Sequence, residues 1–126
     1  MRAVDTNVLV RIAVQDDAKQ YGAAELFIAP GAWVSQLVLV EAVWVLSSFY
    51  QFTHPQQATF VENMLAHEFL RLQDPDVVEI ALSRFKGQKK LSFTDCLVLE
   101  IARKAGHVPL GTFDKALGKL PGVKAL

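Results

Sequence analysis

Arg2-Ala3-Val4-Asp5-Thr6-Asn7-Val8-Leu9-Val10 is an apolar run broken once, by an acid and two small polar residues. Ala3 and Val4 suit a first buried strand. Val8, Leu9, Ile12 and Ala13 recur at helical spacing, which predicts a short amphipathic helix starting near Thr6 or Asn7. Asp5 therefore falls where a strand gives way to a helix. In open α/β sheets that is where ligands bind, in the crevice outside the carboxyl ends of parallel strands. A plainer role is also open to Asp5, because unpaired N–H groups and the helix dipole favour an acid at a helix N-terminus.

The same grammar repeats along the chain. Asp16-Asp17 reads as the cap of a helix over 18–29, with Ala23, Leu26 and Phe27 on one face and Pro30-Gly31 as its stop. Ala32 to Ser35 reads as a strand, and Ser35 caps a long helix to about Tyr50. Thr53 caps another to about His67, Phe69 to Leu72 forms a strand, and Asp74-Pro75 starts a helix to about Lys86. Ser92 caps the next helix, with Gly106 past its end. Val108 to Thr112 is a strand, Asp114 precedes a short helix over 115–120, and Val123 to Leu126 closes as an edge strand. Five strands alternating with helices predict one α/β domain over residues 1–126, built on a mostly parallel sheet.

Composition narrows the possibilities. A chain of 126 residues with 52% hydrophobic content has more apolar surface than a small core consumes, so a partner chain is expected to cover part of it. The longest apolar run, Leu37 to Leu46, is interrupted by Glu41 and falls short of the ~18 residues of a membrane span. One cysteine, Cys96, and the lack of a signal-peptide pattern predict a cytoplasmic protein without disulfides. Cys96 itself reads as a small buried residue, and His54, His67 and His107 share no metal-ligand spacing. The net charge of zero hides an asymmetry. Residues 1–80 carry four Lys or Arg against ten acids, whereas residues 81–126 carry nine against three. The basic segment around Arg84, Lys86, Lys89, Lys90, Arg103 and Lys104 either attracts phosphates or forms a solvated helix face paired with the acidic part.

Four acids stand apart. Asp5, Asp95 and Asp114 lie at predicted helix starts, two of them directly after strands. Ser92 and Asp95 also have the spacing of a capping box. Glu41 sits in the apolar sleeve Leu37-Val38-Leu39-Val40-Glu41-Ala42-Val43-Trp44-Val45-Leu46, with no base at helical spacing to pair with it. It must reach solvent, meet a distant cation, be protonated or bind metal, and a helix apolar nearly all round offers little sign of an exposed stripe. Strands of a parallel sheet emerge on one edge, so short crossovers can bring several of these carboxylates to one cleft. Clustered carboxylates persist only when protonated or neutralised by a cation, and an all-oxygen donor set selects Mg2+ or Mn2+. Such an ion suits hydrolysis of a phosphodiester.

Taken together, Asp5-Thr6-Asn7-Val8-Leu9, Glu41 in its apolar helix, Phe93-Thr94-Asp95-Cys96-Leu97, and Thr112-Phe113-Asp114-Lys115 followed by Leu120-Pro121-Gly122-Val123 resemble the PIN domain. Within that family they resemble the VapC-type toxins of toxin–antitoxin pairs. The resemblance spans the chain and implies a three-layer α/β/α domain with about five strands. It implies a single-strand endoribonuclease in which Asp5, Glu41, Asp95 and Asp114 form the catalytic, metal-binding set for Mg2+ or Mn2+. Asn7 and Thr112 match accessory polar positions that line the site, while Lys89, Lys90, Arg84 and Lys86 are candidates for guiding RNA. It further implies a homodimer and a cognate VapB-type antitoxin, with no membrane partner. Ala116 stands where many relatives carry a further acid, so a complete second metal site is not implied. Two other readings compete. A haloacid-dehalogenase-type phosphotransferase with Asp5 as nucleophile wants a second acid where Asn7 stands, and a catalytically silent module would keep the fold to bind RNA or protein.

Overall fold

The first two strands are each left through a helix capped by the next polar side chain, Asp5 and Ser35. The computed structural model describes residues 1–126 and divides into two units, Met1–Pro75 and Asp76–Leu126. In the first, β1 (Arg2–Ala3), β2 (Ala32–Val34) and β3 (Leu70–Leu72) pair in parallel in that order, with Ala3 opposite Trp33 and Trp33 opposite Arg71. Burial alternates along β2 and β3: Ala32, Val34, Leu70 and Leu72 are buried, whereas Trp33 and Arg71 are exposed. That is the period of two of a pleated strand packed on one face.

Four helices connect and cover these strands: α1 (Thr6–Val14), α2 (Ala18–Ile28), α3 (Gln36–Phe49) and α4 (His54–Ala66). α1 buries Thr6, Leu9, Val10 and Ile12, packs on α2 and α3, and stops at Gln15, which takes the left-handed conformation and donates its N–H to the Arg11 carbonyl. α3 buries Leu39, Ala42, Val43 and Leu46, a stripe of helical period; each fully buried Leu or Val contributes about 1.5–3 kcal/mol. Its cap is as expected: Ser35 Oγ accepts the Val38 N–H at 3.1 Å. α4 is closed by a complete capping box in which Thr53 Oγ1 accepts from Gln56 N–H and Gln56 Oε1 accepts from Thr53 N–H.

In the second unit, α5 (Pro75–Gly87) buries Val77, Val78, Ala81, Leu82 and Phe85, while α6 (Phe93–Ala105) buries Phe93, Cys96, Leu97, Leu99 and Glu100. Phe85 and Phe93 meet edge to face, ring centroids 6.0 Å apart. α6 ends at Gly106, whose φ of +84° is the left-handed cap that glycine adopts without a Cβ clash. β4 (Leu110–Thr112) and β5 (Val123–Ala125) then pair in parallel, Leu110 opposite Val123. All five expected strands are present and every pairing is parallel.

Three details differ from the sequence reading. β1 spans Arg2–Ala3 and is exposed; only Val4 beyond it is buried, donating its N–H to the Trp33 carbonyl, while the Arg2 guanidinium lies 3.7 Å above the Phe27 ring. α2 turns Ala24 and Ile28 inward, not Ala23 and Leu26, because Leu26 is two residues from Ile28 and so on the opposite side of the helix. The helix after Asp114 shrinks to one 3-10 turn, Leu117–Lys119, held by i to i+3 bonds from Lys119 N–H to Ala116 O and from Leu120 N–H to Leu117 O.

Replacing Ser35 by Ala removes the acceptor for one orphan N–H of α3 and is expected to lower the unfolding free energy by about 1 kcal/mol in a urea titration. A change within error would mean that the α3 cap contributes nothing.

Candidate active site

Asp5 is the last residue before α1, with extended backbone dihedrals (φ −97°, ψ −179°). Its Oδ1 accepts the Val8 N–H at 3.3 Å, a long bond, and its side chain is exposed. The capping role and a site role are therefore compatible at Asp5. Asn7 is exposed in the first turn of the same helix. Glu41 lies on α3, the helix against which α1 packs. The burial problem posed by its apolar neighbours is resolved by solvent: Glu41 is exposed on an outward stripe with Leu37, 76% exposed, and Trp44, 58% exposed. The stripe was hidden because its other members are themselves apolar.

In the second unit, Asp95 occupies the first turn of α6 and is half-buried. Ser92 Oγ accepts the Asp95 N–H at 3.0 Å. The reciprocal bond of a capping box is not made, so the expected box is half built and the Asp95 carboxylate is not committed to the helix end. Asp114 follows β4. Its N–H donates to Thr112 Oγ1 at 3.0 Å, and its Oδ1 accepts the Leu117 N–H at 2.8 Å. Thr112 and Asp114 are thus joined directly.

Electrostatics separates the carboxylates. Asp16 is paired with Arg11 at 2.8 Å, Asp76 with Lys104 at 3.1 Å, and Glu100 with two arginines. The Lys104 hydrogen bond holds the Asp76 carboxyl below the usual carboxylate range. Asp5, Glu41, Asp95 and Asp114 form no ion pair. Their donor atoms are hard oxygens that suit a divalent ion, and within neither unit are three or more His, Cys, Asp or Glu side chains gathered into a metal-holding group.

The basic segment is more internally satisfied than its composition suggests. Arg84, a candidate for guiding RNA, donates from Nε to Glu100 Oε2 at 3.0 Å; Arg103 and Lys104 are also paired. Only Lys104, paired with Asp76, fits the alternative of a solvated face paired with the acidic part; Arg84 and Arg103 pair instead with the buried Glu100 of the basic segment itself. Lys86, Lys89 and Lys90 are exposed at the end of α5 and in the loop after it. Glu100 escaped the sequence reading, although it is buried. The signal was present: Glu100 continues the apolar stripe Phe93, Cys96, Leu97, and Arg103 stands three residues on.

Cys96 is fully buried, as expected. Burial pushes its thiol up to about 11, with the Asp95 carboxylate adding to the shift, so it is a packing residue and not a nucleophile.

The chain matches the PIN domain family over residues 2–123 and is a member of it, a family of nucleases that generally act with divalent metal ions. Among solved structures it is similar to Mycobacterium tuberculosis VapC20, a toxin that cleaves the sarcin–ricin loop. The two are 19% identical over 99% of this chain and 98% of that one, with a TM-score of 0.43. No curated protein matches.

The raised thiol pKa has two consequences. A thiol two units above its ordinary value of 9.0 is expected to react with a disulfide reagent at pH 8 at least about 100-fold more slowly in the native protein than in the unfolded chain. The folded state favours the protonated thiol, so its contribution to stability is whole below pH 9 and is lost as the pH rises through about 11. Equal labelling rates in native and unfolded protein would contradict both.

Proposed function

We propose that this protein is a metal-dependent endoribonuclease, the toxin of a type II toxin–antitoxin pair, acting as a single PIN domain over residues 1–126. The observation that carries the reading is the family match across residues 2–123, and it is supported by four carboxylates, those the motif resemblance singles out, that have no cation paired to them. Asp5, Glu41, Asp95 and Asp114 hold the ion, Mg2+ or Mn2+, with Asn7 and Thr112 as accessory groups. When bound, the ion supplies Lewis acidity toward a phosphoryl oxygen and lowers the pKa of water. The chain's own part is positioning. Asp5 and Asn7 are aimed by the first turn of α1, Asp95 by the first turn of α6, and Asp114 by its bonds to Thr112 and Leu117. Lys89 and Lys90 supply exposed positive charge for the RNA backbone, with Lys86 beside them. The products are a 5′-phosphate and a 3′-hydroxyl, and the protein works in the cytoplasm. No helix is long and apolar enough to cross a membrane.

The same reading includes partners. VapC20 is a toxin, and a VapB-type antitoxin is the counterpart this chain would need. A second copy is favoured by the outward side of α3, where Leu37, Trp44 and Phe49 are 76%, 58% and 69% exposed and the Trp44 and Phe49 rings stack edge to face at 6.0 Å. Aromatic side chains so exposed are the usual anchors of an interface.

Purified protein free of antitoxin is expected to cut cellular RNA into discrete fragments with Mg2+ or Mn2+ and not with EDTA. The Asp5→Asn and Asp95→Asn variants are expected to lose cleavage by at least about 100-fold while still retaining RNA. Absence of cleavage with either metal would leave a silent RNA- or protein-binding module as the better account. Trp44→Glu is expected to convert a dimer to a monomer in light scattering, and an unchanged mass would place the dimer contact elsewhere.

A further inference from the structure

Glu100 is 3% exposed, yet both of its oxygens are used. Arg84, on α5, donates from Nε to Oε2 at 3.0 Å, and Arg103, one turn along α6, donates from Nε to Oε1 at 3.3 Å. A buried carboxylate so held fixes the arginines as firmly as they fix it. Arg103 then reaches further. Its Nη2 donates to the Pro121 carbonyl at 2.8 Å. The next residue, Gly122, has φ +81° and lies so close that a Cβ there would come within 3.0 Å of Arg103 Nη1 and 3.1 Å of Nη2. The guanidinium therefore lies against the Pro121-Gly122 turn, in space that a Cβ at 122 would fill.

That turn is the entry to β5. Gly122 O accepts the Leu110 N–H at 2.9 Å, β5 pairs along β4, and the Leu126 N–H donates to Thr112 O at 2.9 Å. Thr112 in turn holds Asp114 through its hydroxyl, and Gly118 N–H donates to Asp114 O. Residues 110–126 thus form one self-bonded loop that carries Thr112 and Asp114. Arg103 supplies a charge-assisted tie from this loop to α6, the helix that carries Asp95.

We infer that Arg103, clamped by the buried carboxylate of Glu100, is a positioning residue that sets the Thr112–Asp114 segment relative to Asp95. Arg84 holds the other side of Glu100 and makes no bond to the loop, which separates the two arginines in function. A planar guanidinium is required at 103, because its Nε–H must meet the carboxylate while an Nη2–H meets the Pro121 carbonyl; an ammonium keeps the charge but cannot span both. The consequence for metal binding rests on the function proposed above, whereas the tie itself does not.

The test compares Arg103→Lys, Gly122→Ala and Arg84→Lys by hydrogen exchange over residues 110–126 and by calorimetric titration with Mn2+. Arg103→Lys cuts the tie from the helix, whereas Gly122→Ala presses a Cβ against the guanidinium and also strains a backbone at φ +81°, so Arg103→Lys carries the comparison. Both are expected to raise exchange in residues 110–126 by about tenfold and to weaken Mn2+ binding by about 10-fold to 100-fold. Arg84→Lys is expected to lower the melting temperature while leaving exchange in that loop and Mn2+ affinity within about twofold of the parent. Unchanged loop exchange in Arg103→Lys would overturn the proposal, as would equal changes in Arg84→Lys, which would make the cluster merely structural. If the parent protein binds no Mn2+, the metal reading fails on its own, and the exchange comparison still decides whether Arg103 holds the loop.

Discussion

A strand in a parallel ladder cannot turn back on itself through a hairpin, and this constraint governs where polar groups appear in the protein. The chain must leave each strand by a crossover, and a crossover begins with a helix whose first N–H groups have no partners inside it. Those groups are satisfied by the residue just past the strand. After β1 it is Asp5, after β2 it is Ser35, and after β4 the Thr112–Asp114 pair performs the same task for a single 3-10 turn. Backbone hydrogen-bond accounting thus places carboxylates at strand ends before any chemistry is considered. Asp5 and Ser35 are local solutions to the same problem, and only one of them carries charge.

The protein treats its acids in two contrasting ways. Glu100 is buried with Arg84 and Arg103 on its two oxygens; an unpaired carboxylate there would be costly. Asp5, Glu41 and Asp114 are exposed and Asp95 half-buried, and none has a cationic partner. The basic segment serves the first purpose more than its charge count suggests, since Arg84, Arg103 and Lys104 are bound to acids of the same unit. What remains for a polyanion is the exposed Lys89 and Lys90 in the loop after α5. Beside this network Cys96 stays protonated, because the burial that makes Glu100 expensive also disfavours a thiolate, and the Asp95 charge acts in the same direction.

α3 shows how an apolar sequence can still be amphipathic. Its inner stripe, Leu39, Ala42, Val43 and Leu46, and its outer stripe, Leu37, Glu41 and Trp44, differ in burial far more than in hydrophobicity. A helix that must bury one face in its own unit and still offers aromatic side chains outside suits a surface completed by another chain. Glu41 is the one position on that outer stripe where the sequence declares a polar purpose.

Much of the architecture was legible from the chain alone. Ser35, Thr53, Ser92 and Gly106 marked helix ends because caps are local: the bonded N–H lies two or three residues away and needs nothing from the rest of the fold. The five strands followed from short apolar runs between those caps, and Asp5, Asp95 and Asp114 stood out because they fall at the joins. Tertiary structure alone decided what depended on distant partners. The face α2 turns inward is chosen by α1, and the exposed stripe of α3 by what covers its other side. The fate of Arg84 is chosen by Glu100, sixteen residues away. The sequence determined the local conformations and the chemical types at the joins; only packing decided which charges are neutralised within the fold and which stand open, because burial and ion pairing are properties of neighbours that the chain brings together from afar.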